Sequence, residues 1–475
     1  RTVVLVDAVR TPFGKAGSLY AGTRADDLMV RAIRGLLERN PKVDPASIED
    51  VAIAAATQTG DQGMNIGRSA ALLSGLPNTV PGYSVDRWCA GAMTAVTTIA
   101  GAIAMGTNEI AIAGGVEHMG NHPIGEGLDP NPRYLAERIV EQDALAMGAT
   151  AERLHDRFPQ LTKERADRYA LNSQLKTAKA YEEGKIQRDL IPTAARSAEL
   201  GWTIATVDEP PRPQTTMEGL AGLKTPFRPA GRVTPGNSSG LNDGAAALLF
   251  ASEAGLKKNN LTALARIVSM GAAGVEPRIM GIGPVEAANK ALEKAGLTMN
   301  DIGIIELNEA FAAQSLACIR SWGLKDDDAR INPNGGAIAL GHPLGCSGAK
   351  LSVQLFGEMR RRNNKYGMVT MCVGAGQGAA GIFDESGQSP AASLSSAENR
   401  GPWVSLRCCR VHLRCRCRVS GAVGLVGARR SHVRHESPGL RAADGGAPDP
   451  GDPREARRAV DILRAGLDGR AAPSR

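Results

Sequence analysis

Two spacings of apolar residues alternate along most of this chain. Val3 to Val9 is an apolar run closed by Arg10-Thr11-Pro12-Phe13-Gly14, the pattern of a buried strand that ends in a turn. Over 25–39 the residues Leu28, Ile33, Leu36 and Leu37 recur at helical spacing, and Asn40-Pro41 predicts the stop. A strand over Val51 to Ala56, a helix at about 65–75, a strand ending near Val85, a small-residue helix over 90–106 and a strand over Ile110 to Ala113 follow. Strands alternating with helices predict an α/β fold in which helices pack on the faces of a sheet.

The pattern recurs. Ser47-Ile48-Glu49-Asp50-Val51-Ala52-Ile53 parallels Thr298-Met299-Asn300-Asp301-Ile302-Gly303-Ile304, and Cys89-Ala90-Gly91-Ala92 with Val96 parallels Cys346-Ser347-Gly348-Ala349 with Val353. Two matches in the same order at nearly the same offset point to a duplicated α/β unit. The halves are expected at 1–116 with 245–262, and at 263–386. Between them, 117–244 breaks the rhythm with Pro- and Gly-rich stretches around helical segments at roughly 141–157 and 162–183, an expected insertion lying over a surface. Near its end Arg212, Lys224, Arg228 and Arg232 precede Gly236-Asn237-Ser238-Ser239-Gly240, where loop N–H groups and cations could hold a phosphate or pantetheine-like chain.

The 475 residues, 43% hydrophobic and 22% charged, suffice for two or more domains. There is no run of 18 apolar residues, so no membrane partner is expected. Residues 1–20 lack the order of a secretory signal, which makes a cytoplasmic address the expectation, and Arg1 is not expected to be the natural start. The net charge of +7 raises nucleic-acid binding as a class, but residues 391–475 hold 16 Arg, no Lys and 8 acids, leaving the remainder near neutrality. The segment 387–475 is expected to be a disordered or out-of-frame tail, and no nucleic-acid partner is expected. Cys408, Cys409, Cys415 and Cys417 with His412 fit structural zinc spacing poorly, and no metal site is assigned.

Three residues stand out as chemistry. Cys89 lies between an apolar strand and a helix rich in Ala and Gly, where unpaired helix N–H groups would favour its thiolate. His342 sits between Gly341 and Pro343 in a glycine-dense turn. Cys372 ends the strand Met368 to Met371 and opens Gly374-Ala375-Gly376, whose N–H groups could stabilise an oxyanion. Cys318 and Cys346 are expected to pack, and His118, His122 and His155 to be structural.

These residues and the runs around them resemble the thiolases. Val9 to Gly14, the Cys89 site, Asn308-Glu309-Ala310-Phe311-Ala312-Ala313-Gln314, Gly335 to Gly348 with Gly341-His342-Pro343, and Cys372-Val373-Gly374-Ala375-Gly376-Gln377-Gly378 look most like the degradative 3-ketoacyl-CoA thiolases over about 2–384. The chain departs from their pattern at Asp86, where Asn is usual, and at Gly91-Ala92, where Ser-Gly is usual. The resemblance implies two similar halves in a layered αβαβα arrangement, with a loop domain over coenzyme A. It assigns Cys89 the acyl intermediate, His342 the activation of that thiol, and Cys372 proton transfer at the substrate α-carbon. Asn308, through a water, and His342 would stabilise the thioester enolate, and the N–H groups of Cys89 and Gly374 a second oxyanion. Lys224, Ser239 and Met147 fall where the family contacts CoA. Coenzyme A is then a substrate, with no permanently bound cofactor, and a homodimer or homotetramer and a hydratase/dehydrogenase subunit are the implied partners.

Cleaving a 3-ketoacyl thioester between C2 and C3 needs a soft nucleophile, a site for the enolate and an acid to protonate it, which two thiols and an imidazole supply. Decarboxylating ketosynthases use a second histidine where this chain has Cys372. A biosynthetic acetoacetyl-CoA thiolase is the nearer alternative; Ala146 before Met147-Gly148, in place of the His common in short-chain members, favours longer acyl chains.

Overall fold

The computed structural model describes residues 1–385 apart from 198 and 200, so the Arg-rich segment and its cysteine cluster lie outside the described residues. In chain order the strands are β1 (Val3–Arg10), β2 (Gly14–Lys15), β3 (Asp50–Ala54), β4 (Tyr83–Val85), β5 (Ile110–His118), β6 (Thr193–Ser197), β7 (Gly201–Ala205), β8 (Asn242–Ser252), β9 (Ala265–Gly274), β10 (Ile304–Leu307), β11 (Tyr366–Val373) and β12 (Gln377–Asp384). β6 and β7 pair with each other, and the rest form one sheet.

Strand order carries the duplication. The first half runs β4-β3-β5-β8-β1, with β3 parallel to β4 and β5, and β8 antiparallel to β5 and β1. The second half runs β10-β11-β12-β9 with the same directions, and Ile331 bridges Ile305 in the place that β4 takes beside β3. Both repeats read from the sequence fall at equivalent points. A 3-10 turn precedes β3 at Pro45–Ser47 and β10 at Met299–Asp301, and another precedes the central helix of each half, at Trp88–Ala90 and Leu344–Cys346. The half-sheets join edge to edge where Val4 and Leu5 of β1 pair with Arg266 and Ala265 of β9.

The helices are α1 (Ala25–Arg39), α2 (Ile66–Leu73), α3 (Gly91–Met105), α4 (Arg133–Ala136), α5 (Met147–Arg157), α6 (Lys163–Glu182), α7 (Met217–Ala221), α8 (Glu253–Lys258), α9 (Gly283–Ala295), α10 (Ala312–Ser321), α11 (Ala337–Leu340) and α12 (Ser347–Arg362). Leu28, Ile33 and Leu36 of α1 and Ile66 of α2 pack on the outer face of the first half-sheet. Ala287 and Ala291 of α9 and Leu316 of α10 do the same for the second. Between the half-sheets lie α3 and α12, where Met93, Val96, Ile99, Val353 and Phe356 share one core with residues of both. The result is the expected five-layer αβαβα order.

Trp88–Met105 is apolar and long enough in helix to span a bilayer by composition, although no run of 18 apolar residues announced it. Its place between two sheets accounts for that composition: Ala92, Met93, Ala95, Val96 and Ile99 are all buried. β5 runs five residues beyond the expected Ala113, because β8 pairs with it from Ile110 to His118. Gly114 and Gly115 are poor strand formers, but a Cβ on Gly115 would lie 2.1 Å from the Gly345 carbonyl, so the close contact between halves requires glycine there. At the other end β8 begins at Asn242, so the sheet takes residues from both ends of the segment 117–244.

That segment is strapped to the first half by a buried ion pair. Both terminal nitrogens of Arg10 lie 2.7 Å from the Asp208 carboxylate, which also accepts the Phe13 N–H and the Tyr181 hydroxyl.

Two glycine substitutions test the contact between layers. A Cβ on Gly348 would sit 2.5 Å from the Met93 backbone nitrogen, whereas nothing lies within 4 Å of one on Gly101. Gly348→Ala is expected to lower the unfolding free energy by about 3 kcal/mol, and Gly101→Ala to raise it by about 0.5–1 kcal/mol, both read from urea midpoints.

Candidate active site

Cys89 sits in the 3-10 turn that leads into α3 and is half-buried. The turn is strained: Trp88 holds φ at +44°, with its N–H donating to Asp86 Oδ1 at 2.8 Å. The Trp88 ring lies where a Cβ on Gly374 would be, 2.1 Å from ring carbon, so Gly374 is the residue that lets the β11–β12 turn reach the Cys89 turn. There the N–H groups of Gly374 and of Cys89 itself point at the sulfur. The thiolate expected from the helix N-terminus does not follow. Burial pushes the thiol up to about 12, outweighing those two N–H groups, and the Glu117 and Asp86 charges add to the rise. Cys89 therefore rests as a thiol.

Cys372 lies near the end of β11, paired with Gly378 across the turn. Burial raises its thiol well above the usual value, with Cys89 and Cys318 opposing ionisation further, which places all three sulfurs in one neighbourhood. Cys372 packs with Ala151, Met280 and Phe311, with Met147 and Phe227 against them, in an apolar cluster separate from the main cores. Cys318 and Cys346 are buried packing residues, as expected.

His342 is held on three sides. Its N–H donates to Asn242 Oδ1 at 3.0 Å, and a Cβ on the preceding Gly341, at φ +104°, would strike that same Asn242 side chain. Its Nδ1 lies 2.5 Å from Ser347 Oγ, and the Ser347 hydroxyl donates to the Pro343 carbonyl. Nδ1 must then be the donor to Ser347. Nε2 keeps a lone pair, which faces Asn308 Nδ2 at 3.2 Å. Burial lowers His342 to about 3, and the Lys350 charge lowers it further, so the imidazole is neutral.

Asn308 is thus brought directly to His342. Its neighbours explain the run that follows it. Glu309 accepts from Ser173 Oγ of α6, Asn332 Nδ2 and the Ile338 N–H. The Ala310 carbonyl accepts the Ser239 N–H, and the Ala312 N–H donates to the Asn237 carbonyl, fastening the glycine loop to the second half. Met147 is close to the chemistry, with its sulfur 3.5 Å from a Cβ built on Gly374.

Of the four cations expected to hold a phosphate, two are spent internally. Arg228 pairs with Asp156 and Glu152, and Arg232 donates to the carbonyls of Pro159 and Leu161. Lys224 and Arg212 are exposed. Arg212 lines a cavity of about 240 Å³ with Thr215, Leu223, Pro235 and Gly236, beside the Ser239 loop. Among the described residues no group of three or more His, Cys, Asp or Glu is arranged to hold a metal. His118 contacts the Tyr20 carbonyl, His122 lies between Asp61 and Glu126, and His155 contacts the Leu161 carbonyl.

Cys89 of the first half and Cys372 of the second are neighbours, and a neutral His342 meets Asn308. Models of the thiolase N-terminal and C-terminal domains match residues 3–254 and 261–385. The chain belongs to the thiolase family. It is 45% identical over 384 residues to a 3-ketoacyl-CoA thiolase of Pseudoalteromonas translucida (strain TAC 125), covering 80% of this chain and 98% of the relative. It is 44% identical to a beta-ketoadipyl-CoA thiolase of Escherichia coli, covering 81% and 99%. The solved human mitochondrial 3-ketoacyl-CoA thiolase matches with a TM-score of 0.74 at 38% identity, covering 81% and 99%. A Bacillus anthracis acetyl-CoA acetyltransferase matches at 0.73 and 38%, covering 81% and 98%.

Sequence reasoning missed Ser347, Asn242, Trp88 and Glu117. Ser347 is five residues from His342, within the run already singled out, but a serine after Cys346 reads equally well as a helix start. Glu117 accepts N–H groups from Ala56, Thr57 and Gly345 and the Gln62 amide, stapling the two halves of the thiolase fold together. Its signal was an acid inside an apolar strand.

The depressed His342 makes a stability prediction. Below pH 6.5 the unfolded chain binds a proton there that the folded one refuses down to about 3, so this residue's contribution is lost as pH falls through that window. The slope approaches roughly 1.4 kcal/mol per pH unit. Urea midpoints at pH 4.5, 5.5 and 6.5 should fall more steeply for the native sequence than for His342→Gln.

Proposed function

We propose that this chain is a 3-ketoacyl-CoA thiolase, cleaving 3-ketoacyl-CoA with CoA to acetyl-CoA and a shortened acyl-CoA in fatty-acid breakdown. The observation that carries the reading is the match of the thiolase N-terminal and C-terminal domain models over residues 3–254, which hold Cys89, and 261–385, which hold Asn308, His342 and Cys372. Relatives named 3-ketoacyl-CoA thiolase at about the same identity support it.

In the first half-reaction His342 Nε2 takes the Cys89 proton and the sulfur attacks C3 of the substrate. The resulting oxyanion is met by the N–H groups of Cys89 and Gly374. The C2–C3 bond then breaks, its electron pair passing into the enolate of acetyl-CoA. Protonation turns Nε2 from acceptor into donor, so it and Asn308 Nδ2 become two adjacent donors for the enolate oxygen. Cys372 gives its proton to C2, releasing acetyl-CoA. In the second half-reaction Cys372 takes the proton of CoA and the CoA sulfur attacks the acyl thioester. Cys89 leaves and recovers its proton from His342.

The apolar cluster of Met147, Phe227, Met280 and Phe311 borders the acyl and pantetheine path in this reading, and Lys224, Arg212 and Ser239 face the CoA end. No permanently bound cofactor is required. A homo-oligomer, a hydratase/dehydrogenase partner and a cytoplasmic address belong to the same proposal.

CoA-dependent cleavage of 3-ketoacyl-CoA substrates from four to sixteen carbons is the direct test. Initial rates should give parallel lines for the two substrates. Cys89→Ala should abolish capture of the acyl group, and intersecting lines or full activity in Cys89→Ala would refute the mechanism. Ser347→Ala, which frees His342 Nδ1, should lower kcat/KM by about tenfold to a hundredfold, the worth of one buried hydrogen bond.

A further inference from the structure

The turn that carries Cys89 is held in a conformation that its own residues disfavour. Trp88 is a bulky residue at φ +44°, in the left-handed region where a side chain is crowded by its own backbone. Arg87 before it lies at φ −150° and ψ 44°, neither helical nor extended. Two interactions hold Trp88 there. Its N–H donates to Asp86 Oδ1 at 2.8 Å, a side-chain turn closing residues 86 to 88, and its ring sits against Gly374. Cys89 follows directly, with its sulfur facing its own N–H and that of Gly374. The Arg87 carbonyl accepts the Ala90 N–H at 2.9 Å and the Trp88 carbonyl accepts the Gly91 N–H, so the residues on both sides of Cys89 are tied into this one turn.

We propose that Asp86 is a positioning residue for the nucleophile: by accepting the Trp88 N–H it holds the left-handed backbone that aims Cys89 at the Gly374 turn. The requirement is for an acceptor oxygen on Cγ, not for charge. Asp and Asn carry that oxygen at the same reach, so Asp86 keeps the turn where Asn is the usual residue, and Ala would not. Asp86 is itself exposed, so its bond to Trp88 acts on the turn and not on the core. The inference rests on Cys89 being the nucleophile of the proposed thiolysis, but not on which thioester it attacks.

Crystal structures of the native enzyme, Asp86→Asn and Asp86→Ala read the turn without any acyl-CoA, so a wrong substrate assignment leaves that readout intact. Asp86→Asn should keep Trp88 at positive φ with the Cys89 sulfur facing both N–H groups. In Asp86→Ala, Trp88 should leave the positive-φ region and its ring should lift from Gly374. CoA-dependent cleavage should follow the same pattern. Asp86→Ala should lower kcat about tenfold with KM for CoA unchanged, the worth of one hydrogen bond, while Asp86→Asn keeps at least about half of the native kcat. A merely structural role would lower the urea midpoint and leave the kcat of the folded enzyme unchanged. If Asp86→Ala does not fold, the double variant Asp86→Ala/Trp88→Gly is the second probe, because glycine adopts a positive φ without steric cost; its kcat should lie within about twofold of that of Trp88→Gly. The proposal falls if Asp86→Ala keeps the native turn or the native kcat, if Asp86→Asn is as impaired as Asp86→Ala, or if the double variant is about tenfold slower than Trp88→Gly.

Discussion

The molecule depends on a backbone-to-backbone contact at its centre. Gly345, at the approach to α12, lies against Ala55 and Gly115 of the first half, and Gly348 against the Met93 nitrogen of α3. Side chains at these points would force the half-sheets apart. The Glu117 carboxylate joins the same contact by accepting the Gly345 N–H together with those of Ala56 and Thr57. Because Cys89 precedes α3 and His342 precedes α12, bringing these two helix starts together sets the turn that holds Cys89 against the turn that follows His342.

The same closeness takes Cys372 and His342 out of water and leaves Cys89 half-buried, and burial sets the electrostatics of all three. Both thiols are raised and the imidazole is lowered, so all three groups are neutral at rest. In the proposed reaction charge is created only along the way, where the Cys89 and Gly374 N–H groups stand to receive it. A site of this kind costs little reorganisation at the moment of bond breaking, because the donors are backbone groups and an amide held by the fold.

The insertion between β5 and β8 is part of this architecture rather than an appendage. The Arg10–Asp208 pair with Tyr181 anchors it to the first half, and Glu309 with Ser173 anchors it to the second. Its arginines Arg228 and Arg232 shape the insertion itself, which is why a charge count along the chain overstated the cations free to meet a ligand. Its apolar residues Met147 and Phe227 close over Cys372.

Much of this was legible in the chain. The strand and helix starts of the first half, the duplication, and the candidates Cys89, His342 and Cys372 follow from periodicity and from short glycine-rich runs, because those are local properties, whereas Asn308 came from the resemblance to thiolases. The full length of β5 was not legible, since Gly115 makes sense only against Gly345, more than two hundred residues away, and Gly114 only against the Ala246 carbonyl of β8. The protonation of the site was not legible either. A cysteine at a helix start reads as a thiolate by its local dipole, and only burial among elements of both halves shows that it is a thiol. Sequence determined which groups could react and the order in which they occur; tertiary structure decided how far they are from water and from each other, because solvation and distance are properties of the packed whole.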